Sequence, residues 1–223
     1  IGQTFNGGDY DIFVARLDTD LSTLERAAYL GGSSNDFATA LVVHPISHNL
    51  VVAGYTYSTN YPVQQAYDGT YNGGADAVLT VLTRDLMGLS YSTYLGGAGD
   101  DVGRALTCGS DQMVFLAGWT DSADFPTSVS AYSKTLSGAK DSFLSKFDVR
   151  YPGANSFLAS TYLGGLSNDM AWAVQAETGV TYSVWVAGET WSTNFIALAN
   201  GFQTQLNRGP IEGFSDGFAL RMP

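Results

Sequence analysis

Residues 94–101 read Tyr94-Leu95-Gly96-Gly97-Ala98-Gly99-Asp100-Asp101. The pattern returns at Tyr29-Leu30-Gly31-Gly32 ahead of Asp36, and at Tyr162-Leu163-Gly164-Gly165 ahead of Asp169. In each copy the aspartate follows the first glycine by five residues, and the copies are 65 and 68 residues apart. Self-similarity at a fixed period marks a repeat architecture, so the reading of one unit becomes the reading of the chain.

Other motifs keep the same step. Ala-Gly-x-Thr occupies Ala53–Thr56, Ala117–Thr120 and Ala187–Thr190. An aspartate opens an alternating apolar run four times, at Asp11, Asp76, Asp141 and Asp216. The loop Thr4-Phe5-Asn6-Gly7-Gly8 is matched by Thr70-Tyr71-Asn72-Gly73-Gly74, with weaker copies at Thr135–Gly138 and Gln205–Gly209. Within the second unit, β-prone runs bounded by Gly, Asp and Ser predict four strands: Ala77–Leu82, Ser90–Leu95, Arg104–Thr107 and Met113–Ala117.

Four strands per unit is the blade of a β-propeller. The expectation is a single all-β domain over 1–223, with repeats at about 11–75, 76–140 and 141–215. Labelling the strands a to d from the aspartate-opened one leaves three blades and a spare a strand at 216–222. A closed propeller needs about four or more blades. The spare strand, with Asp216, Phe218 and Leu220, is therefore expected to pair with an open blade edge of another copy, or of further blades in a longer chain. The extra length of each unit lies in connections such as Thr56 to Asp76, and long loops on a rigid scaffold are where binding usually resides.

The strings Tyr91-Ser92-Thr93-Tyr94-Leu95-Gly96-Gly97 and Gly118-Trp119-Thr120-Asp121-Ser122-Ala123-Asp124-Phe125-Pro126-Thr127 resemble the bacterial and archaeal β-propeller repeat family called SBBP, over nearly the whole chain. The resemblance implies a propeller from an exported or cell-surface protein, in a family without a general catalytic motif. The third copy departs from it, with Ile196 in place of proline after Phe195 and added residues from Gly209 to Ser215.

Composition narrows the partners. Twenty-one acidic against ten basic residues give a formal charge of −11, which repels a phosphate backbone and anionic lipid. Neither nucleic acid nor membrane insertion is expected, and no segment reaches 18 apolar residues. One cysteine, Cys108, rules out a disulfide framework and reads as a small buried thiol. His44 and His48 flank Pro45 in a β context, which denies them a shared helical face.

The glycine pairs read as strand ends needing positive φ, with Asp36, Asp101 and Asp169 accepting turn N–H groups. The alternative takes these three as Ca²⁺ ligands, but one carboxylate per turn is too few for a cation wanting six to eight oxygens. No metal or cofactor is expected. The strand-opening aspartates read as carboxylates holding backbone amides between blades. Loop aromatics around Gly-x-Thr, namely Tyr55, Tyr57, Trp119 and Trp191, with Asp121, are the ligand candidates, since aromatic faces stack on sugars or partner side chains. Packing between blades is the competing reading, and Trp172 and Trp185 are expected in the core. The chain thus reads as a non-enzymatic extracellular or cell-surface assembly module. Alternatives are a carbohydrate-binding propeller recognising surface glycans or proteins and, further off, a hydrolase or lyase.

Overall fold

A computed structural model describes residues 2–177, 183–195 and 215–222. Ile196, Gln205–Gly209 and the added residues 209–214 lie outside the described residues. The fold is all-β: among the described residues there are thirteen strands in antiparallel sheets and one 3₁₀ turn, at Gly153–Ser156. The strands are β1 Ile12–Leu17, β2 Leu24–Leu30, β3 Asp36–Val43, β4 Leu50–Thr56, β5 Asp76–Leu82, β6 Leu89–Leu95, β7 Asp101–Cys108, β8 Val114–Thr120, β9 Asp141–Phe147, β10 Phe157–Leu163, β11 Asp169–Ala176, β12 Val184–Thr190 and β13 Asp216–Met222.

The strands group out of phase with the repeat as read above. Each full sheet runs c-d-a-b: β3-β4-β5-β6, then β7-β8-β9-β10. The Tyr-Leu-Gly-Gly turn is therefore the crossing from one sheet to the next, and the long Thr-to-Asp connection stays within a sheet. The chain begins with the two-stranded sheet β1-β2 and ends with the three-stranded sheet β11-β12-β13. This corrects the spare-strand expectation. β13 is matched to β12 from Thr190↔Asp216 to Val184↔Met222, which sets Phe218 opposite Gly188 and Leu220 opposite Val186. The Phe218 ring packs on Phe195 at 4.4 Å.

Period-2 alternation lets each inner strand feed two cores. Val52 and Val78 pack with Ile12, Val14 and Leu30 of the first sheet. Val51, Ala53, Leu79 and Val81 face the other way, onto Val114, Leu116 and Phe143 of the third. Ala117, Leu144 and Leu163 then meet Ala171, Val174 and Val186 of the last sheet. Strands β5 and β8 are accordingly buried at every position, whereas β1 buries only Ile12 and Val14. Successive sheets stack in chain order, with β7 across β3, β4 and β5, and β11 across β7, β8 and β9.

Every c strand carries the same bulge, between Ala38 and Ala40, Gly103 and Ala105, and Ala171 and Ala173. The glycine of Ala-Gly-x-Thr sits opposite it. A Cβ on Gly54, Gly118 or Gly188 would run into the carbonyl oxygen of Phe37, Val102 or Met170. The bulged residues project toward the next sheet: Thr39 Oγ1 donates to Gly103 O at 2.7 Å, and the Arg104 guanidinium lies 5.0 Å over the Trp172 ring. Trp172 belongs to the last sheet and keeps 45% of its surface exposed; Trp185 keeps 43%. Neither tryptophan is core, because no described sheet covers the outer face of β11-β12-β13.

The long loops do not stand free. Gln64 and Asp68 bridge to Ser92 and Tyr94 along the outer edge of β6, and Ser128 and Ser133 bond β10 in the same way. A loop laid along an outer strand satisfies the row of backbone groups that would otherwise invite another chain.

Candidate functional site

At each crossing between sheets the repeated motif residues converge on one buried carboxylate hub. Gly32, Gly97 and Gly165 donate their N–H groups to Asp36, Asp101 and Asp169 at 2.8, 2.7 and 2.7 Å. Ser58, Ser122 and Ser192 donate to the same three carboxylates at 3.0, 2.8 and 2.7 Å. Those hydroxyls also accept the N–H groups of Ser34, Gly99 and Ser167. Asn60, Asp124 and Asn194 take the N–H groups of Ser33, Ala98 and Leu166. Thr56 Oγ1 donates to Asp36, and the hydroxyls of Thr120 and Thr190 favour the ionised forms of Asp101 and Asp169. The tyrosines of the second and third motifs reach the preceding hub, Tyr94 Oη donating to Ser58 O and Tyr162 Oη to Ser122 O.

The glycines are required here for space, since positive φ among described glycines occurs only at Gly7, Gly8 and Gly153. A Cβ on Gly32 would sit 2.6 Å from Ser58 Cβ, and one on Gly165 2.7 Å from Ser192 Cβ. The string Thr-x-Ser-x-Asn/Asp, present at Thr56–Asn60, Thr120–Asp124 and Thr190–Asn194, is the sequence signal that marks this hub.

The strand-opening aspartates come to the same place. The amides of Asp36, Asp101 and Asp169 donate to the carbonyls of Tyr10, Ala75 and Lys140, each the residue just before Asp11, Asp76 and Asp141. This brings two carboxylates together at every crossing. The opening aspartates cap their own upstream loops, accepting N–H groups from Asn6, Asn72 and Ser137. Burial, chiefly, raises the carboxyl of Asp76 to about 7 and those of Asp101 and Asp141 to about 6, and it raises Asp36 and Asp169 as well. Among the described residues, no three His, Cys, Asp or Glu side chains form a metal-holding group.

The aromatic candidates divide. Tyr10, Phe37, Tyr55 and Tyr57 form a row, with centroids 5.2, 4.8 and 6.1 Å apart in turn, and Phe37 stacked on Tyr55. Tyr10 and Tyr57 are 57% and 41% exposed. Trp119 is buried beneath Lys140, whose Nζ lies 3.6 Å from the ring centroid and 3.4 Å from Asp121. Asp121 also accepts the Asp100 N–H at 2.6 Å, and Trp191 is half-buried beside the Asn168 carbonyl. The positions are equivalent in the repeat, and among the described residues the first copy presents the most exposed of these aromatics, Tyr57.

At the opposite end, Val14, Leu41, Val43 and Leu50 line an open groove of about 560 Å³ with Arg16 and Arg84 at its rim. His48 also borders it, while His44 is buried and its Nε2 is 3.3 Å from Gln112 O. Cys108 is half-buried, with burial pushing its thiol up to about 11. No protein-family model matches the chain, and no curated protein matches it.

Proposed function

We propose that the chain is an arc of a β-propeller in which each c-d-a-b sheet is one blade, as the resemblance to SBBP repeats implies. In this reading it serves as a non-enzymatic structural module outside the cell or at its surface. It associates through blade edges with further copies or further blades. The observation that carries this is the first sheet. Among the described residues β1 has β2 on one side and no strand on the other. Phe13, Leu41 and Val43 beside that edge are 70%, 53% and 50% exposed. A c-d strand pair seated on β1 would complete a four-stranded blade and cover this apolar surface.

The assembly role thus falls on β1 as well as on β13, each of which is the outer strand of an incomplete sheet among the described residues. Light scattering over a concentration series tests it, using wild type and a Leu41→Lys, Val43→Lys double variant. Concentration-dependent association of wild type, reduced in the variant, is the expected result. A wild-type chain that stays monomeric at every concentration overturns the assembly reading.

A second reading, glycan binding, is favoured by the Tyr10, Phe37, Tyr55 and Tyr57 row, because a tyrosine face can stack on a sugar ring. Binding on a glycan array that is lost in Tyr57→Ala would support it, and a blank array would remove it.

A further inference from the structure

Asp76 and Asp101 meet across the crossing between the second and third sheets, and both are 0% exposed. Asp76 Oδ1 and Asp101 Oδ2 each lie 2.7 Å from the point where a Cβ on Gly96 would stand, so the two oxygens project into one small space that the glycine leaves open. The remaining contacts of these groups are with donors. Asp101 Oδ2 already accepts Gly97 N and Ser122 Oγ, and Asp76 Oδ2 accepts Asn72 N. Asp76 Oδ1 accepts no hydrogen bond at all. The crossing at Gly31 repeats the arrangement: Asp11 Oδ1 is unpartnered, and Asp11 and Asp36 carboxylate oxygens crowd the same Cβ position.

Two buried carboxylates whose oxygens converge on one space need a positive charge, or a shared proton, between them. No side chain supplies the charge. Among the described residues none of the ion pairs involves Asp11, Asp36, Asp76, Asp101, Asp141 or Asp169. Lys140, next to Asp141, is turned to Asp121 and Trp119, and Arg104, three residues from Asp101, lies over the Trp172 ring. The titratable groups acting on the Asp76 and Asp101 pair and on its neighbours are Asp68, Asp100, Asp121, Tyr71, Tyr94 and Tyr162, all of them acids. A hard divalent cation would want six to eight oxygens, whereas the pair supplies four, of which Asp76 Oδ2 and Asp101 Oδ2 already accept N–H or O–H donors.

We propose that Asp76 is a protonated carboxylic acid in the folded protein, donating its proton to Asp101 as a hydrogen-bonded clamp between adjacent sheets. The clamp is made in acid and lost when both groups ionise. The crossing between the second and third sheets is therefore fastened under mildly acidic conditions and loosened above neutrality.

The substitution Asp76→Asn tests this, because an amide keeps the shape, accepts from Asn72 N and offers an N–H to Asp101 without needing a proton. Melting temperature is measured at pH 5 and pH 8 with and without Ca²⁺ and EDTA. Wild type is expected to melt lower at pH 8 than at pH 5, with no response to Ca²⁺ or EDTA. Asp76→Asn is expected to melt about 2–4 °C above wild type at pH 8, with a smaller dependence on pH. Infrared difference spectra of wild type at pH 6 should show the C=O stretch of a protonated carboxyl group, reduced in the variant. A variant less stable than wild type at both pH values overturns the proposal, as does the absence of that stretch. A rise in wild-type melting temperature with Ca²⁺ at pH 8 that Asp76→Asn abolishes overturns it in favour of a cation site. Should Asp76→Asn fail to fold, the wild-type infrared spectrum between pH 5 and pH 8 decides alone.

Discussion

At Gly97 a Cβ would lie 2.8 Å from Ser122 Cβ and run into the Asp124 carboxylate, so any side chain there must push apart the turn and the hub that holds it. Gly97→Val is expected to cost about 3 kcal/mol, read from urea denaturation. Gly69→Ala, where a Cβ would meet nothing within 4 Å, should be neutral to within about 0.5 kcal/mol. Equal stability of the two variants would refute the steric account of the glycine pairs. The hub serine makes a separate prediction. Ser122→Ala removes the donor to Asp101 and the acceptor of Gly99 N, leaving a buried carboxylate short of a partner. A loss of about 1–3 kcal/mol is expected. A silent substitution would mean that the hydroxyl only fills space.

The loop laid along β6 is clasped by one side chain. Thr93 Oγ1 accepts the Asp68 N–H at 2.9 Å and lies 3.1 Å from Asp68 O, and Thr161 holds Ser133 in the same manner on β10. Thr93→Val keeps the volume and removes the clasp. Amides around Gln64 to Asp68 should then exchange with solvent faster while those of β5 stay protected, a local change worth about 1–2 kcal/mol. Exchange that quickens uniformly across the second sheet would show that the loop is part of the sheet's cooperative unit. The element scale also explains why two exposed tryptophans read as core. The alternation around Trp172 and Trp185 fits a strand buried on both faces, but their sheet has a described neighbour on one face only.

Across the whole molecule the raised carboxyl groups set the sign of the pH dependence. Asp76 near 7, and Asp101 and Asp141 near 6, bind more protons folded than unfolded, where the value is 3.8. Their contribution to stability is full below about pH 4 and is lost as pH rises through 6 to 7. Asp18 acts in the opposite sense. Its exposed carboxyl is lowered to about 2 by hydrogen bonds from Ser22 and Thr23, so its contribution is lost only as pH falls through that value. Maximum stability is accordingly expected on the acid side, at about pH 4–5. Chemical denaturation at pH 4.5, 6 and 8 checks this, and a maximum at pH 8 would contradict the burial of these carboxylates.

The all-β class and the strand positions were legible in the residues themselves, because alternation, Gly and Asp punctuation and a 65-residue step are local properties that survive without knowledge of contacts. The expected Ala77–Leu82 and Ser90–Leu95 differ from β5 and β6 by one residue at their starts. Sheet membership was not legible. A repeat can be cut at any phase, and only the pairing of β4 with β5 shows that the long loop stays inside a sheet while the glycine turn crosses out of it. The same limit hid the carboxylate pairs. Asp76 and Asp101 stand 25 residues apart and each looks like a lone turn cap, until tertiary packing of adjacent sheets buries both fully against Gly96. Local pattern determined what each segment becomes, whereas the stacking of one sheet on the next decided which charges must share a site, since burial and proximity are properties of the packed chain alone.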